Sequence, residues 1–240
     1  MKMQAVTLFI LCLVGSGITQ DAANTAVQVV ASEPKSSGGS TPSGPPKVKV
    51  TVFYESYCKD SSWFITKQLL PVHKLLKDNM SVELVPYGRS KTKESPSGGP
   101  PTFVCRHGAA ECLGNILHSC AITLYPDTEV HLNFIACTLR TWKPERAVKK
   151  CTRDVQMESQ KILGCMNSAQ GKALFQKMGE KTAAINPPIT NVPSIMIDGN
   201  FNKKNQRKIQ KDLKTAVCSQ FKPPLPKACE KKKRGWFRKK

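Results

Sequence analysis

Residues 52–64 read Val-Phe-Tyr-Glu-Ser-Tyr-Cys-Lys-Asp-Ser-Ser-Trp-Phe, with two residues separating Cys58 from Ser61. Dithiol exchange uses two thiols at that spacing. The first attacks a substrate disulfide as a thiolate, and the second resolves the mixed disulfide that results. Cys58 follows a strand-like run and stands at the N-terminus of a predicted helix. There the orphan N–H groups, the helix dipole and the charge of Lys59 all favour an anionic sulfur. Ser61 cannot take the second role, because a hydroxyl is a poor nucleophile without an activating base; it is expected instead to hydrogen-bond the Cys58 thiolate. A mixed disulfide at Cys58 would then persist until an external thiol displaced it. The bland alternative is a Cys58 without redox work, either a remnant or the anchor of an intermolecular disulfide, with His73, Trp63 and Phe64 as ordinary packing.

The elements that must position Cys58 are legible on either side of it. Lys47 to Tyr54 alternates polar and apolar residues and is rich in β-branched side chains, the pattern of a strand. Ser62 to Leu76 has apolar residues at helical spacing, with Asp60 or Ser61 available near the N-terminus and Pro71 expected to kink the helix without ending it. Ser81 to Tyr87 is a second strand, so the unit is β-α-β with parallel pairing and a right-handed crossover. A polar loop from Arg89 to Thr102 leads to a cysteine-rich stretch, running to about Gly179, where helical spacing dominates. Thr190 to Phe201 then gives a short strand with Asp198-Gly199 as a two-residue hairpin turn, and Gln206 to Cys218 a closing helix. Together these predict an α/β fold, a thioredoxin-like sandwich with a disulfide-rich helical insertion.

The ends of the chain are different in kind. Residues 1–20 combine a short positive start with an apolar run too brief to span a bilayer, which reads as a secretory signal peptide and sets an oxidising, extracellular destination. Residues 21–46, with Ser36-Ser37-Gly38-Gly39-Ser40 and four prolines, are expected to be a flexible linker. One domain is expected over 47–227 and a basic tail over 228–240. The formal net charge is +20, from 37 Lys and Arg against 17 Asp and Glu. That imbalance suits anionic partners: a protein or cell-surface ligand, glycosaminoglycan, an anionic membrane surface, a microbial coat or, less readily, nucleic acid. The cations Lys231, Lys232, Lys233, Arg234, Arg238, Lys239 and Lys240 surround Trp236 and Phe237, an interfacial pattern, although a solvated tail explains them equally. Asn79-Met80-Ser81 is the one sequon, at an expected turn, and marks Asn79 for glycosylation.

The run from Cys105 to Cys120 carries a resemblance to a known family. Cys105-Arg106-His107-Gly108-Ala109-Ala110-Glu111-Cys112-Leu113-Gly114-Asn115 and then Cys120 closely resembles the signature Cys-Gln-His-Gly-x-x-Glu-Cys-x-x-Asn-x-x-x-x-Cys of the gamma-interferon-inducible lysosomal thiol reductases (GILT). Only Arg106, in place of Gln, departs from it. Tyr54-Glu55-Ser56-Tyr57-Cys58, Val85-Pro86-Tyr87-Gly88 and Val192-Pro193 are similar to further family segments. The resemblance implies a thioredoxin-like fold, reduction of protein disulfides, and a cis-proline at Pro193 beside the nucleophile Cys58. It departs from the family at the chemistry, since the second active-site cysteine is Ser61 here.

The resemblance also sorts the ten cysteines. Cys12 leaves with the signal peptide. Cys105, Cys112, Cys120, Cys137, Cys151, Cys165, Cys218 and Cys229 match family cysteines, and an even set in an oxidising compartment implies four disulfides of unassigned pairing. Cys58 is left over. A zinc site of Cys105, His107 and Cys112 competes with that reading, but secretion favours disulfides, so neither a metal nor a cofactor is expected. His107 and Glu111 are expected to brace helices. The reading is a secreted GILT-like protein with impaired or absent dithiol reduction that acts mainly by binding. A monothiol oxidoreductase using Cys58 with an external thiol is the alternative, and a basic effector resting on charge alone is a third.

Overall fold

In the computed structural model, which describes residues 47–95, 98–141 and 143–230, β1 (Val48–Tyr54) is the central strand of the main sheet. It pairs in parallel with β2 (Met80–Pro86) on one side. On the other it pairs antiparallel with β5 (Ser194–Ile197), so that Val52 faces Ile195. The alternation along β1 suggested a half-exposed strand, but every residue except Lys49 is buried. A central strand has both faces covered, and Thr51 escapes the polar penalty by donating to Glu83 Oε2 at 3.3 Å.

The crossover between β1 and β2 is one continuous helical run: α1 (Lys59–Phe64), a π turn (Ile65–Leu69) and α2 (Leu70–Leu76). Pro71 has no N–H to give, and its ring would strike the carbonyl one turn back. The chain widens just ahead of it, and the Leu70 N–H bonds Ile65 O. The proline is therefore absorbed by a π turn.

The predicted polar loop after β2 is partly ordered as a hairpin, β3 (Lys91–Lys93) against β4 (Thr102–Val104). Then come α3 (Ala109–Leu124), α4 (Thr128–Thr138), α5 (Val148–Asp154), α6 (Ser159–Met166) and α7 (Ala169–Ala183). These form the helical insertion, in which α3 packs on β2, α4, α6 and α7. Cys120–Cys165 ties α3 to α6, and Cys137–Cys151 ties α4 to α5. Cys105–Cys112 closes the entry to α3.

The closing part differs from expectation in three places. The Asp198-Gly199 turn forms, with both residues at positive φ, but the returning arm is a single bridge from Ile197 to Asn200. The side chain of Asn202 accepts from the N–H groups of Lys204 and Asn205 and so diverts the chain into a helical turn, which ends any second strand. The closing helix is two, α8 (Gln206–Lys211) and α9 (Leu213–Cys218), because the Asp212 side chain caps α9 by accepting from Thr215 N. Finally, Cys218–Cys229 carries the folded part past the boundary placed at Lys227, to Glu230. The predicted signal peptide, the linker and the cations from Lys231 to Lys240 lie outside the described residues.

A buried polar chain links the sheet to α3. Thr138 Oγ1 donates to Ile135 O, so it accepts from His118 Nε2 at 2.9 Å, which leaves His118 Nδ1 to accept from the Tyr54 hydroxyl at 3.1 Å. Burial alone pushes the His118 imidazole down to about 3. The unfolded chain therefore takes up a proton near the ordinary value of 6.5 that the folded chain refuses, and stability falls as pH drops below 6.5. At roughly 1.4 kcal/mol per pH unit, the loss on going to pH 5 is about 2 kcal/mol. Urea unfolding at neutral pH and at pH 5 should register that loss, and His118→Gln, though less stable at neutral pH, should show a flatter dependence.

Candidate functional site

Cys58 stands where β1 hands over to α1, and Ser56 in the loop between is pinned by α3. Ser56 N donates to Asn115 Oδ1 at 2.9 Å, and Ser56 Oγ donates to Glu111 O at 3.2 Å. At Gly114 a Cβ would come within 2.5 Å of Ser56 Oγ, so the loop lies against the helix where a side chain is missing. The Tyr57 hydroxyl donates to Glu145 Oε2 at 3.0 Å, and burial together with that carboxylate raises the phenol to about 12. Glu111 and Asn115 are defined positions of the signature, and Gly114 falls on an open position within it, so the signature segment serves as the seat of the Cys58 loop.

Cys58 is half-buried and is the free cysteine among the described residues. Its Sγ lies 3.8 Å from Val192 O, and the Val192–Pro193 peptide is cis. Pro193 is held in turn from α8, where Gln210 Nε2 donates to Pro193 O at 2.6 Å. One turn back, Gln206 both accepts from Ile195 N and donates to Ile195 O, which occupies the edge of β5. These two glutamines went unremarked in the sequence; their i, i+4 spacing on the closing helix is the signal that was there.

Ser61 is fully buried, and its hydroxyl accepts a long 3.5 Å bond from Glu55 N. The expected bond to the Cys58 sulfur is replaced by this one, because the side chain turns inward under the loop. Trp63 also departs from expectation. Phe64 is core, but Trp63 is 48% exposed and, with Tyr57, Cys58, Leu139 and Arg140, lines a cleft of about 300 Å³. His73 is buried packing, as read. Asn79 is half-buried in the turn before β2, its N–H donating to Leu76 O.

The eight remaining cysteines of the described chain form four bridges. With Cys105 and Cys112 joined, no thiolate pair is left for a zinc site with His107. The imidazole of His107 meets carboxylates instead. Its Nδ1 is hydrogen-bonded to Glu111 Oε2 and lies 3.8 Å from Glu55 Oε2. Both carboxylates are fully buried. Glu55 Oε1 accepts from Arg89 N at 2.9 Å and faces Arg89 Nε at 3.4 Å. Burial raises the Glu111 carboxyl, and the contact with His107 opposes it. Donor atoms of Glu55, His107 and Glu111 lie within 4.8 Å of one another, a set able to hold a cation.

The approach of Arg89 to Glu55 depends on Gly88, which has a φ of +60° and where a Cβ would stand 2.3 Å from Glu55 Cγ. Gly88→Ala should destabilise the protein by about 1–3 kcal/mol, through both the positive φ and the clash. Urea unfolding measures the loss; an unchanged midpoint would show that the loop relaxes freely.

A family profile described as gamma interferon inducible lysosomal thiol reductase (GILT) matches residues 49–155. GILT-like protein 1 of Drosophila melanogaster is 33% identical over 198 residues, covering 76% of this chain and 78% of its own. A gamma-interferon-inducible lysosomal thiol reductase of Carassius auratus is 33% identical over 186 residues, covering 76% and 72%. Among solved structures, DsbA of Chlamydia trachomatis superimposes with a TM-score of 0.53 at 14% identity, covering 78% of this chain and 98% of its own, which shows a shared thioredoxin-like fold.

Proposed function

This chain belongs to the gamma-interferon-inducible lysosomal thiol reductase family, and on that premise we propose that it is a secreted member whose dithiol turnover is impaired and which acts mainly by binding anionic surfaces. The observation that carries the first half is the surroundings of Cys58. Among the described residues every other cysteine is spent in a bridge, and the position that would resolve a mixed disulfide holds the buried hydroxyl of Ser61. Dithiol reduction requires a second thiolate within reach of the first. A serine held under the loop supplies neither the thiolate nucleophile nor the second sulfur of the disulfide that would expel the substrate thiolate.

The binding half is supported by charge. Beyond the cations of residues 231–240, the domain itself exposes Lys203, Lys204, Arg207, Lys208, Lys211 and Lys214 along its closing helices. Asp212 is the one acidic residue in that stretch. Like-signed side chains gathered on one element raise the local concentration of a polyanion and are screened by salt. Among the described residues no helix is long and apolar enough to cross a membrane.

A second reading has its own observation. Cys58 is half-exposed in a cleft with Trp63 and Arg140, open to a partner disulfide, so that one-thiol exchange with an external thiol as resolving agent is chemically complete.

Reduction of a disulfide-bonded peptide by wild type, Cys58→Ala and Ser61→Cys separates these readings. Wild type is expected at background turnover, with an isolable mixed disulfide that Cys58→Ala does not form, and Ser61→Cys is expected to gain at least roughly tenfold by supplying the resolving thiol in place. Wild-type turnover with glutathione that Cys58→Ala abolishes would replace the binding reading by the monothiol one.

On an immobilised sulfated polysaccharide, removing residues 231–240 together with Lys208→Glu and Lys211→Glu should lower the salt needed for elution. An unchanged elution would remove these cations from the binding role.

A further inference from the structure

We propose that Glu55, His107 and Glu111 form a site for a borderline divalent transition-metal cation, of which Zn²⁺ is the natural probe. The three come from two segments, the loop that leads into Cys58 and the turn at the head of α3 enclosed by the Cys105–Cys112 bridge.

Two carboxylate oxygens and an imidazole nitrogen suit zinc and its neighbours in the first transition row. The nitrogen donor and the small number of protein ligands disfavour Ca²⁺ and Mg²⁺, which ask for oxygen shells. Zinc–ligand bonds of about 2.1 Å put tetrahedral donors roughly 3.4 Å apart. His107 Nδ1 and Glu55 Oε2 are 3.8 Å apart, and the whole set lies within 4.8 Å. Forming the site therefore takes a small widening of the hydrogen-bonded His107–Glu111 pair and a small closing of the wider pairs, with the partly exposed His107 ring the freest of the three to move.

The independent sign of a missing ligand is Glu55 Oε2. Its partner oxygen Oε1 is taken by Arg89, but Oε2 is buried with no hydrogen-bond partner and faces the His107 ring. A buried carboxylate oxygen left without a donor is costly, and a cation bound there removes the cost.

Entry and exchange are also accounted for. The His107 side chain is 41% exposed, whereas His73, His118 and His131 are buried, so that of the four histidines in the chain this is the one that solvent reaches. On binding, His107 gives the Nδ1 lone pair to the cation with its ring proton on Nε2, and any further proton held between Nδ1 and Glu111 Oε2 leaves to solvent. Because the Glu111 backbone holds Ser56 and Glu55 lies three residues before Cys58, the ion would clamp the Cys58 loop to α3.

Calorimetric titration of the chelator-treated full chain with Zn²⁺ tests this. Wild type is expected to bind stoichiometrically, with affinity lowered at least roughly tenfold in His107→Ala and in Glu111→Gln, and Co²⁺ is expected to give visible absorption bands in wild type only. No stoichiometric binding by wild type, or equal binding by His107→Ala, overturns the proposal. Should a variant fail to fold, histidine ring NMR signals of the wild type decide: Zn²⁺ must shift His107 and leave the buried histidines in place, and an unmoved His107 overturns the site.

Discussion

The carboxylate of Glu55 has no contact with solvent, and its compensation organises the region around Cys58. A buried carboxylate needs donors or charges close by. The donors come from Arg89, which reaches Glu55 only because Gly88 adopts a left-handed turn directly against the Glu55 side chain. The further neighbour is the His107 ring, held in place by Glu111 within the turn that the Cys105–Cys112 bridge encloses. One side chain thus couples the end of β1, the turn after β2 and the head of α3. The same turn seats the Cys58 loop through Ser56, so electrostatic compensation and placement of the sulfur are parts of one arrangement.

From the other side, Cys58 is framed by elements that owe nothing to that cluster. The Val192–Pro193 peptide lies against the sulfur, and α8 grips it through Gln210 while Gln206 seals the neighbouring strand. The sulfur therefore sits between two supports, one from the middle of the sequence and one from its C-terminal part. Rigid support of this kind favours exchange at a fixed geometry, and equally favours recognition of an extended chain in the cleft beside Trp63.

What the sequence disclosed and what it concealed divide along a physical line. The strands around Val50 and Leu84 and the helix through Phe64 were legible, because hydrophobic periodicity is local. The thioredoxin-like sandwich followed from their order. The role of Glu55 was hidden, since its partners Arg89, His107 and Glu111 lie 34, 52 and 56 positions away, and only the folded chain joins them. The second arm of the Asp198-Gly199 hairpin was misjudged because a good turn fixes a reversal but not a pairing, and the Asn202 side chain starts a helical turn first. Packing for Trp63 belonged to the alternative in which Cys58 has no redox work. Periodicity gives the face of a helix, but an opening toward a cleft is set by what lies opposite, here Leu139 and Arg140.

None of the interactions that seat Cys58 requires a thiol at position 61. Ser56, Glu111, Asn115 and Gln210 hold the loop and the proline with hydrogen bonds, Gly114 leaves room for the loop's close approach, and Ser61 contributes one long bond from beneath. Either a hydroxyl or a thiol at position 61 is compatible with these contacts, because only the bond from Glu55 N ends on that side chain. Preservation of the architecture around Cys58 is therefore what the fold demands in any case, with or without disulfide turnover. The frame that seats Cys58 and the exposed cations of the closing helices are therefore independent features of one fold.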